Sequence, residues 1–479
     1  MMSLAFALAM WSGSDDNHRQ AVALVERSMQ VLGGRSRLES IRSATVRFSG
    51  HAYLAEQSER PTGPFLCVYS RGAQTLDFDA FTVKGDITSA GLIFGPDETH
   101  RTVSVDPATA KGASPLESWL IRRRLMLGPE RALFLAAQAP DLALEKDRVF
   151  NGVPHQVVKF QWGKTPVRLF LKRGTASPSA IETTSPMPFP WSVWGDAVAT
   201  TRWGQWEAHQ FGIMSPDQFT TDVNGIVIDD ETVVSSELTL GAGQAMVATP
   251  MEPVQTATAA LMDRYKPVSV ADGITQYQGP FNTFVIDQPD GLVVVEPVLD
   301  SSFATAFLDR LAKDFPGRQV KAVVPTDDAW PHFGGIRTFA SRGAELVVLD
   351  LNRPIVQRLL DASYRTFPDE FARHSAKPQV RVVGRSLSVG TGPNRFVLYP
   401  VAGQGSERMM MIYFPERRLL YGSDLLQKTA TGFFFASYPK ELAAAVAREG
   451  LAVETVFAEH LGPTPWKTVT DFVESIGRG

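Results

Sequence analysis

The sequence predicts a two-part α+β chain: an antiparallel β-rich region over about residues 19–250, then a layered α/β region over about residues 266–479. Three observations predict it. From Ala44 to about Val247, short β-branched and aromatic runs alternate with turn residues, as in Phe150-Asn151-Gly152 and Val223-Asn224-Gly225. After about residue 266 the pattern becomes strand, strand, helix, strand, helix. Within it Val320–Val324 and Glu345–Leu349 are short and nearly continuously apolar, as strands buried on both faces are.

Taken in order, residues 1–11 are mostly apolar and precede Ser12-Gly13-Ser14. The run is too short to span a bilayer and fits the apolar stretch of a secretion signal without a basic start, or a disordered segment over residues 1–18. It implies a periplasmic or secreted protein, the alternative being a cytoplasmic one. Val22, Val25, Met29 and Leu32 give one apolar face, so a helix is expected over 19–32, stopped by Gly33-Gly34. Strands are expected at Ala44–Phe48, Phe65–Tyr69, Gln156–Phe160, Val167–Leu171, Gly225–Ile228 and Thr232–Leu240. A helical interruption is expected near Leu116–Ala137, with a fresh start at Pro129. Trp191, Trp194, Trp203 and Trp206 cluster in sequence and read as core or edge-strand aromatics, or as a wall facing a ligand. Residues 251–265 read as a connector. Strands follow at Phe284–Ile286 and Leu292–Glu296, a helix at Ser302–Phe315, a hairpin at Arg408–Phe414 and Arg418–Tyr421, a strand at Val453–Ala458 and a helix at Pro465–Ile476.

Composition excludes several classes. The net charge is −4 with 47 basic and 51 acidic residues, and no basic stripe marks a nucleic-acid partner. No other segment is long and apolar enough for a transmembrane helix. The single cysteine, Cys67, excludes intramolecular disulfides and cysteine-based zinc clusters, and beside Leu66 and Val68 it reads as a buried small residue. No dinucleotide fingerprint, phosphate-binding loop or G-x-S-x-G elbow is present; Val389-Gly390-Thr391-Gly392 reads as a hairpin turn, and Ser406 has no evident base.

One stretch concentrates polar chemistry. The strand Lys321–Val324 runs into Pro325-Thr326-Asp327-Asp328-Ala329-Trp330-Pro331-His332-Phe333-Gly334-Gly335. Residues at the end of a buried strand project into the crevice where such folds bind ligands, so Asp327, Asp328 and His332 are candidate site residues.

This stretch resembles the signature loop of the metallo-β-lactamase superfamily, in which a strand and Thr precede H-x-H-x-D-H and Gly-Gly. The surroundings match in order. Val268–Gly273 and Phe281–Thr283 resemble the family's opening hairpin, and Gly291–Pro297 its D-G-L-V-V-V-(D/E) strand. Met409–Asp424 resembles the hairpin that ends in the bridging aspartate, and Glu459–Pro463 the closing G-H-G-P. The resemblance implies an αββα sandwich over about 266–479. It also implies a degenerate metal site. In that register the first two histidines become Asp327 and Ala329, the motif aspartate becomes Pro331, and Gly405 stands where the next histidine falls. His332, Asp424 and His460 are retained as implied metal ligands. Of the eight histidines, the remaining one in this half, His374, reads as surface.

Two readings stay open. In one, His332, Asp424 and His460 hold a single zinc ion, or iron, because two histidines and a carboxylate suit both. Asp327 or Asp328 then adds a ligand or acts as a base, and the protein hydrolyses a small ester or lactone. In the other, no metal is bound and the fold serves as an extracytoplasmic ligand- or partner-binding protein. The opening Leu32-Gly33-Gly34…Leu38…Ile41 resembles the β-rich domain carried by some secreted proteins of the superfamily, similar in kind to lipoprotein-carrier half-barrels, and implies binding more than catalysis.

Overall fold

The computed structural model describes residues 2–54, 66–91, 97–242, 258–374, 377–430 and 432–477. Part of the expected connector therefore lies outside the described residues. The chain divides into two compact units. The first holds the described residues up to 54, 66–189 and 196–242; the second holds 190–195 and those from 258 onward.

The first unit is one twelve-stranded sheet, antiparallel throughout. It consists of two meanders. They are joined where the first strand, Ile41–Leu54, pairs with the last, Ile226–Leu240. The two strands expected at Gly225–Ile228 and Thr232–Leu240 are one long strand. The helix expected over 19–32 runs from Met2 to Val31 and so passes through the segment read as signal-like or disordered. Its Ala21, Leu24, Val25 and Met29 are buried in the sheet's core with Leu32. The interruption near Leu116–Ala137 is two helices, Pro115–Leu127 and Pro129–Gln138, broken at Gly128. Ser114 and Glu117 form a reciprocal cap at the first, which satisfies amides that the helix start leaves unpaired.

One expectation fails here. Cys67 is exposed. Strand residues alternate faces, and the register Tyr53↔Cys67, Ala52↔Val68 places Val68 in the core and Cys67 outside. The tryptophans are core and strand aromatics, as one of the two readings had it, but they fall in two places. Trp203 is buried in the first unit's core with Trp206 packed against it, whereas Trp191 and Trp194 belong to the second unit. Proximity in sequence misled because a 3-10 turn at Trp191–Trp194 separates the pairs.

The second unit is a sandwich of two sheets. The first sheet runs in sequence order from Lys266–Ala271 to Val380–Val383, antiparallel at its start and parallel from Gly291–Val295 onward. The second runs from Leu387–Val389 to Leu461–Pro465 and holds one parallel pair, Leu419–Tyr421 beside Thr455–Ala458. Their facing sides interdigitate: Phe284, Val293, Val295, Val324 and Val347 pack with Phe396, Met410, Ile412, Tyr421 and Phe457. Helices Ser437–Arg448 and Trp466–Ile476 cover the second sheet through Leu442, Ala445, Val446 and Val469. Helix Ser301–Asp314, capped by Asp300, lies by the first sheet, where Phe307 meets Tyr277 edge-on. The layers are α, β, β, α.

Candidate metal centre

Four strands end at one place. Gly291–Val295 leads into Glu296, Val320–Val324 into Thr326–His332, Leu419–Tyr421 into Ser423-Asp424, and Thr455–Ala458 into Glu459-His460. Both strand pairs are parallel, so their carboxyl ends coincide and the loops beyond them converge. The two sheets are stitched together there. The Tyr421 hydroxyl donates to Glu296 Oε1 at 3.1 Å, and the Thr326 and Ser423 hydroxyls lie 2.7 Å apart. Met410 N donates to Thr326 O at 2.7 Å.

The residues implied as ligands come together. Donor atoms of His332, Asp424 and His460 all lie within 4.8 Å of one another. His460 Nε2 is 3.4 Å from Asp424 Oδ1, which also accepts from Gln427 Nε2 at 2.9 Å. Phe281 sets its ring edge-on to both imidazoles, 5.6 Å from His332 and 6.0 Å from His460. A second set, Glu296, Asp327 and His332, meets the same distance test. Asp327 is buried and joined to His332: the Nδ1–H of the ring donates to Asp327 Oδ2, while Oδ1 accepts from Ala329 N at 2.9 Å. Asp328 is buried on the same loop but falls in neither set. His374 is exposed and lies in neither.

Burial shapes the electrostatics. It raises the Glu296 carboxyl to about 8, with the Asp327 charge adding to the effect. Burial likewise holds Glu459 well above the carboxylate range and Asp424 at about 6. His332 responds the other way: burial would lower it, but Asp327, Glu459 and Asp424 together hold it well above its usual value. Burial and the neighbouring His332 lower His460 to about 3. Among the described residues, the ion pairs of the four carboxylates run only to His332 and His460; no Lys or Arg joins them.

Sequence reading missed Glu296, Glu459, Tyr421 and Ser423 as site residues. Two signals were available: Glu296 and Glu459 are acidic residues directly after apolar strands, where a carboxylate is out of place in a core. The backbone gives a third, since Glu296 and Ser423 hold positive φ of 55° and 54°, a cost that recurs at functional sites. The loop at Gly403–Ser406, where the superfamily places a further histidine, is closed by a side chain. The Glu441 carboxylate accepts from Gly405 N at 3.1 Å, Ser406 N at 3.0 Å and Ser406 Oγ at 2.5 Å.

No protein-family profile matches the chain, and no curated protein matches it. Among solved structures it is similar to a metallo-β-lactamase from Pontibacter korlensis, at 14% identity and a TM-score of 0.36, over 45% of this chain and 100% of that one. It is also similar to a stereoselective inverting sec-alkylsulfatase from Pseudomonas sp., at 16% identity and a TM-score of 0.34, over 46% of this chain and 43% of that one. A third is a Pseudomonas aeruginosa metallo-β-lactamase in its mono-zinc form, at 13% identity and a TM-score of 0.34, over 45% of this chain and 95% of that one. The matched region thus spans less than half of the alkylsulfatase. The second unit is an αββα sandwich with its polar centre at the strand ends. Its order of elements is the one that the sequence resemblance implied.

Proposed function

We propose that the chain is a metal-dependent hydrolase that uses one ion, held by His332, Asp424 and His460, to cleave a small ester or lactone outside the cytoplasm. The observation that carries this reading is the convergence of those three donors within 4.8 Å. The donor set fits a single ion. Two imidazoles and a carboxylate with open positions suit zinc, and ferrous iron as the less favoured occupant. The Asp327–His332 bond adds support, because metal-ligating histidines characteristically give their other ring nitrogen to a carboxylate. The second donor set competes with the first: Glu296 and Asp327 can reach an ion only together with His332, and both oxygens of Asp327 are already engaged, while Ala329, Pro331 and Gly405 offer no side-chain donor.

When bound, such an ion supplies Lewis-acid polarisation of a carbonyl and ionisation of water near neutral pH. The chain's own residues do the rest. Asp327 holds the Nδ1 proton of His332, fixing the tautomer and leaving Nε2 to ligate. Gln427 holds Asp424. Phe281 packs edge-on against both imidazoles. Asp327 is thus an orienting carboxylate in this reading rather than a ligand or base, and Asp328, outside both donor sets, is given no direct role.

The test is elemental analysis of protein purified without added metal, beside a His332→Ala/His460→Ala variant. The expected result is close to one zinc or iron per chain, lost in the variant. No metal in either, even after incubation with zinc, overturns the hydrolase reading and leaves a ligand-binding protein on this fold.

A further inference from the structure

The loop that carries His332 has an unusual support. Pro190–Gly195 lies in sequence between two strands of the first unit, Pro178–Pro186 and Asp196–Ala208, yet it belongs to the second unit. Its tryptophans meet Trp330, two residues before His332. The Trp191 and Trp330 ring centroids are 4.7 Å apart at 74°, and those of Trp194 and Trp330 are 5.1 Å apart at 87°. Trp191, Trp194 and Trp330 are all buried. Edge-to-face ring pairs are favourable beyond the area they bury, so Trp330 is gripped from two directions.

The grip is itself braced. Tyr364 donates its hydroxyl to Val193 O at 2.7 Å. Its ring lies 4.2 Å from the Arg337 guanidinium, and Arg337 is buried, paired with Asp369 and bonded to Leu359 O and Leu360 O. A side chain could not be added at Gly334, because its Cβ would stand 2.6 Å from Val193 Cγ1 and 1.8 Å from Leu299 O. At Gly195, with φ of 65°, a Cβ would stand 2.2 Å from Ser363 O. The Val193 side chain is therefore packed directly against the backbone of the His332 loop at Gly334, and the segment's own backbone is packed against Ser363 at Gly195.

The chemistry of the loop explains why such a support is needed. Trp330 opens a single helical turn, Trp330–Phe333, too short to hold itself. The neighbouring positions 329 and 331 are Ala and Pro, so no ion can tie the loop down through them. His332 is held by its bond to Asp327 and the edge contacts of Phe281 and His460, and the turn that carries it is set by where Trp330 sits.

We infer that Trp191 and Trp194 are positioning residues for His332: a tryptophan wedge, supplied from within the N-terminal half of the sequence, sets the metal-bearing loop. The inference rests on the single-ion reading for its metal arm only. A metal-free arm separates the two.

The metal-free arm uses full-length protein labelled with ¹⁵N in its histidine rings, with the His332 signals identified by their loss in His332→Ala. In Trp191→Ala/Trp194→Ala, the Nδ1–H signature of the Asp327 bond is expected to shift or broaden, and in Trp191→Phe/Trp194→Phe to return toward the native position. The metal arm titrates cobalt(II) and follows its visible ligand-field bands. The double alanine variant should bind cobalt about 10- to 100-fold more weakly, with altered bands, and the phenylalanine variant should recover, because orienting partners of a ligand carry effects of that size. If the alanine variant fails to fold, Trp194→Leu keeps an apolar side chain but removes the ring edge, and the same shift is expected. A folded variant with native imidazole signals and native cobalt bands overturns the wedge. Wild-type protein that binds no cobalt overturns the single-ion reading, and the imidazole signals then decide the wedge alone.

Discussion

The two sides of the centre differ in what holds them. On the side of Asp327, Ala329 and Gly405, where the sequence resemblance implies replaced donors, the loops are closed by internal hydrogen bonds. Asp327 is shared between His332 and Ala329 N. Asn352 Nδ2 donates to both Asp327 O at 3.1 Å and Arg408 O at 2.8 Å. Glu441 takes three bonds from the Gly405–Ser406 loop. On the retained side, Asp424 has Gln427 and a 3.4 Å approach from His460. The lesson is that the first side holds its loops through side-chain and backbone hydrogen bonds alone, whereas the second brings His332, Asp424 and His460 together with fewer such bonds.

The largest expected effect breaks this comparison from the closed side. Glu441→Ala removes the acceptor for two backbone amides and the buried Ser406 hydroxyl. Hydrogen bonds to a charged group contribute about 1.5–3 kcal/mol, so a loss of about 2 kcal/mol is expected after partial access to water. Urea unfolding measures it as a lower midpoint at unchanged slope. Metal content should be unaffected. Loss of metal without loss of stability would mean that Glu441 serves the retained side instead.

Asp327→Asn comes next. It keeps the size of the side chain but cannot hold the imidazole proton as a carboxylate does. We expect zinc affinity to fall about 10- to 100-fold in chelator competition, or about 1.4–2.7 kcal/mol. An unchanged affinity would show that Asp327 belongs only to the loop and not to His332.

Legibility followed the same division. The order of motifs in the resemblance singled out His332, Asp424 and His460, and the structure brings their side-chain donor atoms within 4.8 Å of one another. Strands buried on both faces, such as Val320–Val324, were readable from unbroken apolar runs. The closed side was not readable. Glu441 lies on helix Ser437–Arg448, where a glutamate reads as solvated surface, and nothing local says that its carboxylate reaches a loop 35 residues earlier. Trp191 and Trp194 misled for the same reason: their partner Trp330 is remote in sequence, and adjacency to Trp203 suggested the wrong grouping.

A smaller, pH-dependent effect sharpens the account of the buried acids. Folded Glu296 titrates near 8 against 4.5 for an unperturbed carboxyl. The native state therefore binds the extra proton between those values, and stability falls as pH rises through that window. Asp424 has the same sign between 3.8 and about 6. His460, lowered from 6.5 to about 3, has the opposite sign and is flat above pH 6.5. Measurement of metal-free protein between about pH 6.5 and about pH 8 thus leaves out His460, while Glu459 and His332, both raised, contribute there with the same sign as Glu296. Glu296→Gln should show a smaller fall in Tm over that interval than wild type. An equal fall would assign the dependence to Glu459 or His332.

The smallest expected effect is the most telling for the comparison. Gly405→His returns a histidine to the position where the superfamily carries one. If the closed side had merely lost a ligand, this change would begin to rebuild a second ion position. The structure argues against it. Asp327 is committed to His332 and Ala329, position 329 is alanine, and the loop around Gly405 is fastened to Glu441. A lone imidazole there has no partner donors, and one histidine does not make a zinc site. We expect elemental analysis to give the same single-ion content as the parent protein, with Tm shifted by a few degrees at most. A second equivalent of zinc would show that the Glu441 clamp opens readily and that the closed side is held less firmly than its hydrogen bonds indicate.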